Sequence, residues 1–358
     1  MKIRKISSYI LAAMLTVLTT ACSRPPAGET PQTALSEVSQ TTDSTGEHAP
    51  EGNDSEYPIV IEHAFGETVL EQKPERVVTI AWANQDTPLA LGVVPVGFSM
   101  ANFGPVDELG MHSWTADRAA ELGETAPNVF RDTDGIDYEA VSDAQPDVIL
   151  AAYSGLTREE YDLLSQIAPV VAYPRIGWST YWREQIILNA AGMGMKPEGE
   201  AYVAKLEQQI GEVRAKYPQL EGKNGAFLWI DAADLSKFYL YFTNDTRAAY
   251  LTDLGIAFPK ELQVLQTDDT SFAATVSTEH IDILNDLDII VAYGDDTLLE
   301  TLQADPLFGT VPAIRRGSVV FINSNTDLAG AATPSALSIP AIIDEYVALL
   351  AEAADKIQ

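Results

Sequence analysis

From residue 57 onward, short runs of aliphatic and β-branched residues alternate with stretches of helical periodicity, and this alternation constrains the fold more than any other feature. It is the signature of α/β architecture with mostly parallel strands. Apolar runs at 76–81, 94–97, 147–152, 170–173, 226–230, 288–292 and 319–322 read as strands. The patterns at 85–91, 138–144, 157–167, 181–191, 198–216, 246–254, 278–285 and 335–352 read as helices. The stretch 198–216 stands apart. At 1.5 Å per residue it would be roughly 28 Å long, the width of a small domain. It is charged on most faces, with Val203, Leu206, Ile210 and Val213 on one stripe, as expected of a helix that bridges two bodies.

An internal echo also points to two bodies. EAVSDAQPDVILAAY carries Glu139 fourteen residues before Tyr153, and EHIDILNDLDIIVAY carries Glu279 fourteen before Tyr293. Each segment reads as a short helix, an Asp, an apolar strand and a Tyr at the strand's carboxyl end. The aspartates, Asp147 and Asp288, are one place out of step, so the match is partial. Ligands of open parallel sheets lie beyond the carboxyl ends of the strands, which would turn Tyr153 and Tyr293 toward a shared cleft.

Ahead of the folded part, Lys2, Arg4 and Lys5 precede an apolar core from Tyr9 to Leu18 and a small-residue run that ends at Cys22, the only cysteine. That core is shorter than the roughly 20 residues needed to cross a bilayer. The pattern resembles a bacterial lipoprotein signal, residues 1–21, cleaved so that Cys22 carries acyl chains of the palmitate kind. Thr19 replaces the aliphatic residue usual there. With one cysteine, no internal disulfide can form. Residues 22–56 are rich in Pro, Gly, Ser, Thr, Glu and Asp, which suits a tether. Losing Lys2, Arg4 and Lys5 takes the formal charge from −30 to −33, which argues against nucleic acid or an anionic membrane surface as partner.

Six motifs resemble those of the bilobal substrate-binding lipoproteins that serve ABC importers for ferric siderophores, haem and cobalamin. They are PERVVTIAWANQDTPLALGVVPVG (74–97), IDYEAVSDAQPDVILAAY (136–153), REQIILNAAGMGM with the following helix (183–217), YLTDLGIAF (250–258), STEHIDILNDLDIIVAY (277–293) and LFGTVPAIRRGSVVFI (307–322). The resemblance implies two Rossmann-like lobes, 57–195 and 218–358, joined by one rigid helix, 196–217, in the class III periplasmic-binding-protein manner. It implies a monomer that clamps its ligand between the lobes, delivers it to the permease subunits and catalyses nothing. The run AWANQDTPLALGVVPVG with LAAYSGL and IAPVVAYP is most similar to the iron-siderophore group of Gram-positive bacteria. There the protein would be exported and lipid-anchored to the outer face of the plasma membrane.

Residue by residue, the resemblance places Trp82, with Asn84 and Gln85, where relatives reach the ligand, and Arg131 where hydroxamate binders carry an Arg. Arg131 suits a surface ion pair equally well. Tyr153 matches a ligand-facing aromatic of the family. Arg175 and Trp178 could supply an anion contact and a stacking plane after the strand ending at Tyr173. In the second lobe Tyr239, Tyr241 and Arg247 gather after the strand at 226–230, although the two tyrosines also suit one face of a hairpin. Asp231 departs from catecholate binders, which place a cation there, and argues against a highly anionic ligand. The resemblance further places Glu139 and Glu279 where relatives dock on permease arginines, while a helix-start glutamate is the simpler alternative.

Competing chemistry is weaker. His63, His112 and His280 lack metal-ligand spacing, so no resident metal or cofactor is expected; the ferric siderophore is cargo. A haem-binding member of the same family is the alternative, with His112 beside Trp114 as axial ligand. GFSMA around Ser99 approaches a serine hydrolase's nucleophile elbow, but Ala101 replaces the second Gly. Gly192 and Gly194 hint at a dinucleotide fingerprint, yet Pro197 holds the third position, and they read as a turn between helices.

Overall fold

The structure, a computed structural model, describes residues 57–357; the signal-like run, Cys22 and the tether lie outside the described residues. The first sheet is five-stranded and wholly parallel, in the order Val129–Phe130, Gly97–Ser99, Val77–Thr79, Val148–Ala151, Val170–Ala172. Its strands bury side chains on both faces, as parallel strands covered twice must. Val78, Ile149 and Ala151 pack against Val141 and Leu164 of the helices Tyr138–Asp143 and Arg158–Leu164. Their neighbours Val77, Val148 and Leu150 face Ile61 and Leu70 of an antiparallel hairpin, Ile59–His63 with Gly66–Leu70. Truncating a fully buried aliphatic such as Ile149 to Ala would cost about 2 to 5 kcal/mol.

The second sheet repeats the plan with an antiparallel edge. Lys223–Trp229, Ile289–Tyr293 and Val319–Ile322 run parallel, while Lys237–Tyr241 and Ala273–Ser277 pair antiparallel on the other side. Phe227, Ile289 and Val291 point to one core, and their neighbours Leu228, Ile290 and Ala292 to another. The echo has a structural basis. Asp147 Oδ2 accepts from the backbone N–H groups of Glu75 and Arg76 at 2.9 and 3.0 Å, and Asp288 Oδ2 accepts from Asn224 N–H at 2.9 Å. In each half the Asp fixes the start of the adjacent parallel strand, and the strand it begins ends at, or just before, Tyr153 or Tyr293.

Between the sheets runs the helix Lys196–Ala215, begun by Pro197 in its first turn. Its stripe of Val203, Leu206, Ile210 and Val213 enters a core that joins Trp182 and Ile186 before it to Tyr250, Leu251 and Leu350 after it. Gly199 lies against Ala190 with no room for a Cβ, which lets the helix pack closely on Trp182–Ala191. The helix is not the only joint. Leu89 and Trp114 of the first half pack with Ala331 and Leu337 of the second. The buried Asp86 carboxylate accepts from Trp114, Thr115 and, across the divide, Ser335. Arg183 and Trp182 bond Asp253, and Tyr202 bonds the carbonyl of Ala336.

Local differences from the sequence reading have physical causes. The strand expected at 94–97 forms at Gly97–Ser99, because Pro95 has no N–H to give a ladder. The segment 278–285 is a 3-10 helix, Thr278–Leu284, with His280 off helical geometry. Gly194 takes φ +66 in the turn between the helices ending at Ala191 and starting at Lys196, so the glycine pair is a turn.

Candidate functional site

The loops that follow the strands of both sheets enclose a cavity of about 830 Å³. The first half contributes Trp82, Met100, Asp132, Tyr153 and Trp178; the second contributes Trp229, Tyr241, Arg247, Phe272 and Tyr293. Parallel strands bring their carboxyl ends to one edge, so loops distant in sequence converge there.

Tyr153 is held from behind. Asn84, fully buried, donates to the carbonyls of Ile80 and Tyr153 at 2.8 and 2.9 Å and accepts from Tyr153 N–H at 3.1 Å. The Tyr153 hydroxyl meets Thr246 Oγ1 of the second half at 3.2 Å. Burial pushes its ionisation well above the ordinary tyrosine value, so the group is a neutral hydroxyl. Trp178 stands edge-on to Tyr153 at 5.4 Å and lies over Gly155, where any Cβ would strike the indole. Trp178 at φ 61 and Ala81 at φ 65 both line the cavity, and Ala83 beside them takes φ 56. Non-glycine residues in the left-handed region store strain of the kind that collects at ligand sites.

Opposite them, Asp245 caps the helix Thr246–Asp253 and grips Arg247, with Nε–Oδ1 at 3.0 Å and Nη2–Oδ2 at 2.7 Å. The guanidinium lies 4.3 Å from the Tyr241 ring centroid and 5.3 Å from that of Phe227. Burial works against its charge, but the Asp245 carboxylate outweighs burial and holds Arg247 ionised. Tyr293 meets Phe227 edge-on at 5.3 Å and Phe103, from the first half, at 5.1 Å. Burial raises its pKa, so it too presents a neutral hydroxyl.

Of the expected ligand residues, Trp82, Tyr153, Trp178, Tyr241, Arg247 and Tyr293 line the cavity. Arg131 does not: it is exposed just past the strand Val129–Phe130, and alternation turns Asp132 inward instead. Arg175 is likewise outside, spent in a bidentate pair with Glu184 at 2.9 and 2.8 Å. Asn84 and Gln85 are buried behind the wall, and Tyr239 stacks edge-on with Trp229. Asp231 caps its own turn through Ala233 N–H. Glu139 and Glu279 are exposed, each in the first turn of its short helix.

The competing chemistries find no support in this arrangement. His112 is buried under Trp82 and Trp114, bonded to the carbonyl of Pro105, and does not line the cavity, so it is not placed as a haem ligand there. Ser99 accepts from Ala81 N–H at 2.9 Å and donates to Asp132, with no histidine among its partners. Among the described residues no cluster of metal-ligating side chains occurs, and no helix is long and apolar enough to cross a membrane. Sequence reasoning missed Asp132, Asp245, Trp229 and Phe272. The Asp-Thr step at 245–246 is a helix-cap signal that could have exposed Asp245, and Asp132 was hidden by one residue of phase.

The sequence matches the periplasmic binding protein family over residues 77–326. Among solved structures, PiaA of Streptococcus pneumoniae TIGR4 in complex with ferrichrome superposes with a TM-score of 0.80 at 47% identity, covering 84% of this chain and 100% of that one. Another structure of that protein, described as an iron uptake ABC transporter substrate-binding protein, gives 0.77 at 47%, covering 83% and 100%. The Fe(3+) dicitrate-binding periplasmic protein FecB of Escherichia coli is 24% identical over 283 residues, 75% of this chain and 86% of its own length. The probable siderophore-binding lipoprotein YfiY of Bacillus subtilis is 23% identical over 249 residues, 65% and 67%. The family match alone spans well over half of the sequence, and the chain belongs to the periplasmic binding protein family.

Proposed function

We propose that this chain captures a ferric siderophore in the aromatic cavity and delivers it to an ABC permease. One observation carries the reading: rings from both halves converge on a cavity whose one lining arginine is already paired, in a chain 47% identical to a ferrichrome-bound structure. Such walls suit a bulky, partly apolar complex, because aromatic faces give contact area without a charge requirement. Trp82, Tyr153 and Trp178 of one lobe (57–195) and Tyr241, Arg247 and Tyr293 of the other (218–358) make the grip, about the joint at 196–217. The iron complex is cargo, and the protein does no chemistry on it.

Cys22 anchors the exported monomer by acyl chains, palmitate among them, to the outer face of the plasma membrane in a Gram-positive setting; the lipoprotein relative supports this reading. Glu139 and Glu279 present one carboxylate from each half to the two permease subunits. Fluorescence titration of the protein with ferric hydroxamates, ferric catecholates, haemin and cobalamin tests the assignment. Quenching saturable at micromolar or lower ferric siderophore is expected. Response to haemin alone would assign the cavity to haem, and response to none would remove the reading.

A further inference from the structure

The charges around the cavity are unbalanced. Among the described residues its lining holds three carboxylates, Asp132, Glu160 and Asp245, and one cation, Arg247. Arg247 is neutralised by Asp245 in a two-bond grip, and Glu160 is committed to the Thr157 cap. Asp132 is different. It comes from the other half of the chain than Arg247, oriented by the Ser99 hydroxyl, which is itself fixed by Ala81 N–H, and among the described residues no cation pairs with it. Arg131 and Arg175, which could have supplied positive charge, do not line the cavity. Burial raises the Asp132 pKa more than its hydrogen bonds with Ser99 and with the backbone of Met100 and Asp132 lower it.

We infer that the cavity selects its cargo by charge, admitting neutral or cationic ferric complexes and refusing anionic ones, with Asp132 as the residue that sets this preference. The inference rests on the ferric-siderophore reading and narrows it. Three hydroxamates cancel the charge of the ferric ion, whereas three catecholates leave a threefold negative complex. Such an anion would have to leave water for walls that offer no free cation and already hold a carboxylate, which is unfavourable. A protonated amine carried by a hydroxamate scaffold would instead find a desolvated partner in Asp132.

The test compares ferric complexes of different charge. Ferrioxamine B, a trihydroxamate with a free ammonium, and its N-acetylated form share their iron coordination; ferric enterobactin supplies the anion. With the full chain in detergent, ferrioxamine B should bind about tenfold more tightly than the acetylated complex, the worth of one charge-assisted hydrogen bond. Ferric enterobactin should bind more weakly than either. Asp132→Asn should close the gap between the two hydroxamates. Equal affinity for the two hydroxamates in the unmodified protein, or tight binding of ferric enterobactin, overturns the charge selection and leaves the siderophore reading standing. Binding of none of the three removes that reading and the inference together. If the variant does not fold, the ligand pair on the unmodified protein still decides.

Discussion

Arg247 and Asp245, two residues apart, close a bidentate pair at 3.0 and 2.7 Å inside the cavity wall, the carboxylate serving also as the cap of the helix that carries the arginine. The arginine that the sequence groups with Tyr239 and Tyr241 as a ligand candidate is thereby turned into a flat, neutralised surface beneath Tyr241. The pair is largely buried, with the two side chains 20% and 6% exposed. Asp245→Asn keeps the cap acceptor and removes the counter-charge. Unfolding should become easier by about 1 to 3 kcal/mol, because a buried charge loses its partner. Affinity for an anionic ferric complex should rise as the guanidinium is freed. Urea titration and ligand titration of the same variant measure both; an unchanged midpoint with unchanged anion affinity would show that the Asp245 charge contributes to neither.

Trp178 offers a second handle, because its place depends on the missing side chain of Gly155. A Cβ there would lie 2.0 Å from the indole nitrogen. Gly155→Ala should therefore swing the ring away from Tyr153. Ligand affinity should fall by about 1 to 3 kcal/mol, the range for loss of an aromatic anchor, and Trp178→Ala should give a similar loss. Since Trp178 is 43% exposed, the folding midpoint should move little. Full affinity in Gly155→Ala would take Trp178 out of the binding surface.

How much of this was legible in the sequence depended on whether neighbours in sequence are neighbours in space. The parallel strands and their helices were, because period and burial are local: 148–151, 170–172 and 319–322 fall within the runs that announce them. The echo gave Tyr153 and Tyr293, since the same Asp-led strand start recurs in both halves. Of the antiparallel strands, Lys237–Tyr241 was legible only as the hairpin face that Tyr239 and Tyr241 suit, and Ala273–Ser277, only partly buried, was not legible. Within the site, Tyr153, Tyr293 and Arg247 were found, whereas Trp229, also at a strand end, was missed and Arg131 and Arg175 fall outside the cavity. Whether Arg131, Arg175 or Arg247 faces the cavity depends on one residue of phase or on a partner such as Glu184 or Asp245, which no local pattern records.

Glu139 and Glu279 follow the echo into three dimensions: both are exposed, and both stand in the first turn of a short helix capped by Asp137 or Ser277. Neither forms an ion pair among the described residues, so each carboxylate is available to a partner. Replacing both by Arg should abolish most uptake while ligand affinity in solution stays unchanged, because like charges would then meet at a basic permease surface. Uptake of labelled ferric complex by cells carrying the double variant checks this. Normal uptake would leave the two residues as helix-start glutamates.

Asp86 lies where the halves meet, fully buried, accepting from Trp114 at 3.2 Å, Thr115 at 2.9 Å and Ser335. Burial pushes its pKa up to about 6, more than these hydrogen bonds pull it down. The folded protein thus holds a proton on Asp86 that the unfolded chain, with an ordinary carboxylate, releases between about pH 4 and 6. Acidification through that window stabilises the fold at this site, and raising the pH through about 6 removes the stabilisation. On going from pH 7 to about pH 4.5 the gain from this group is about 2 kcal/mol. Other carboxylates change over the same range, so the unmodified protein is compared with Asp86→Asn at both pH values by urea unfolding. Asparagine cannot accept from all three donors, and the variant should be less stable at both. Its deficit should be larger by about 2 kcal/mol at the lower pH. A deficit that is the same at both would show that Asp86 is ionised throughout, held so by its three donors against the cost of burial.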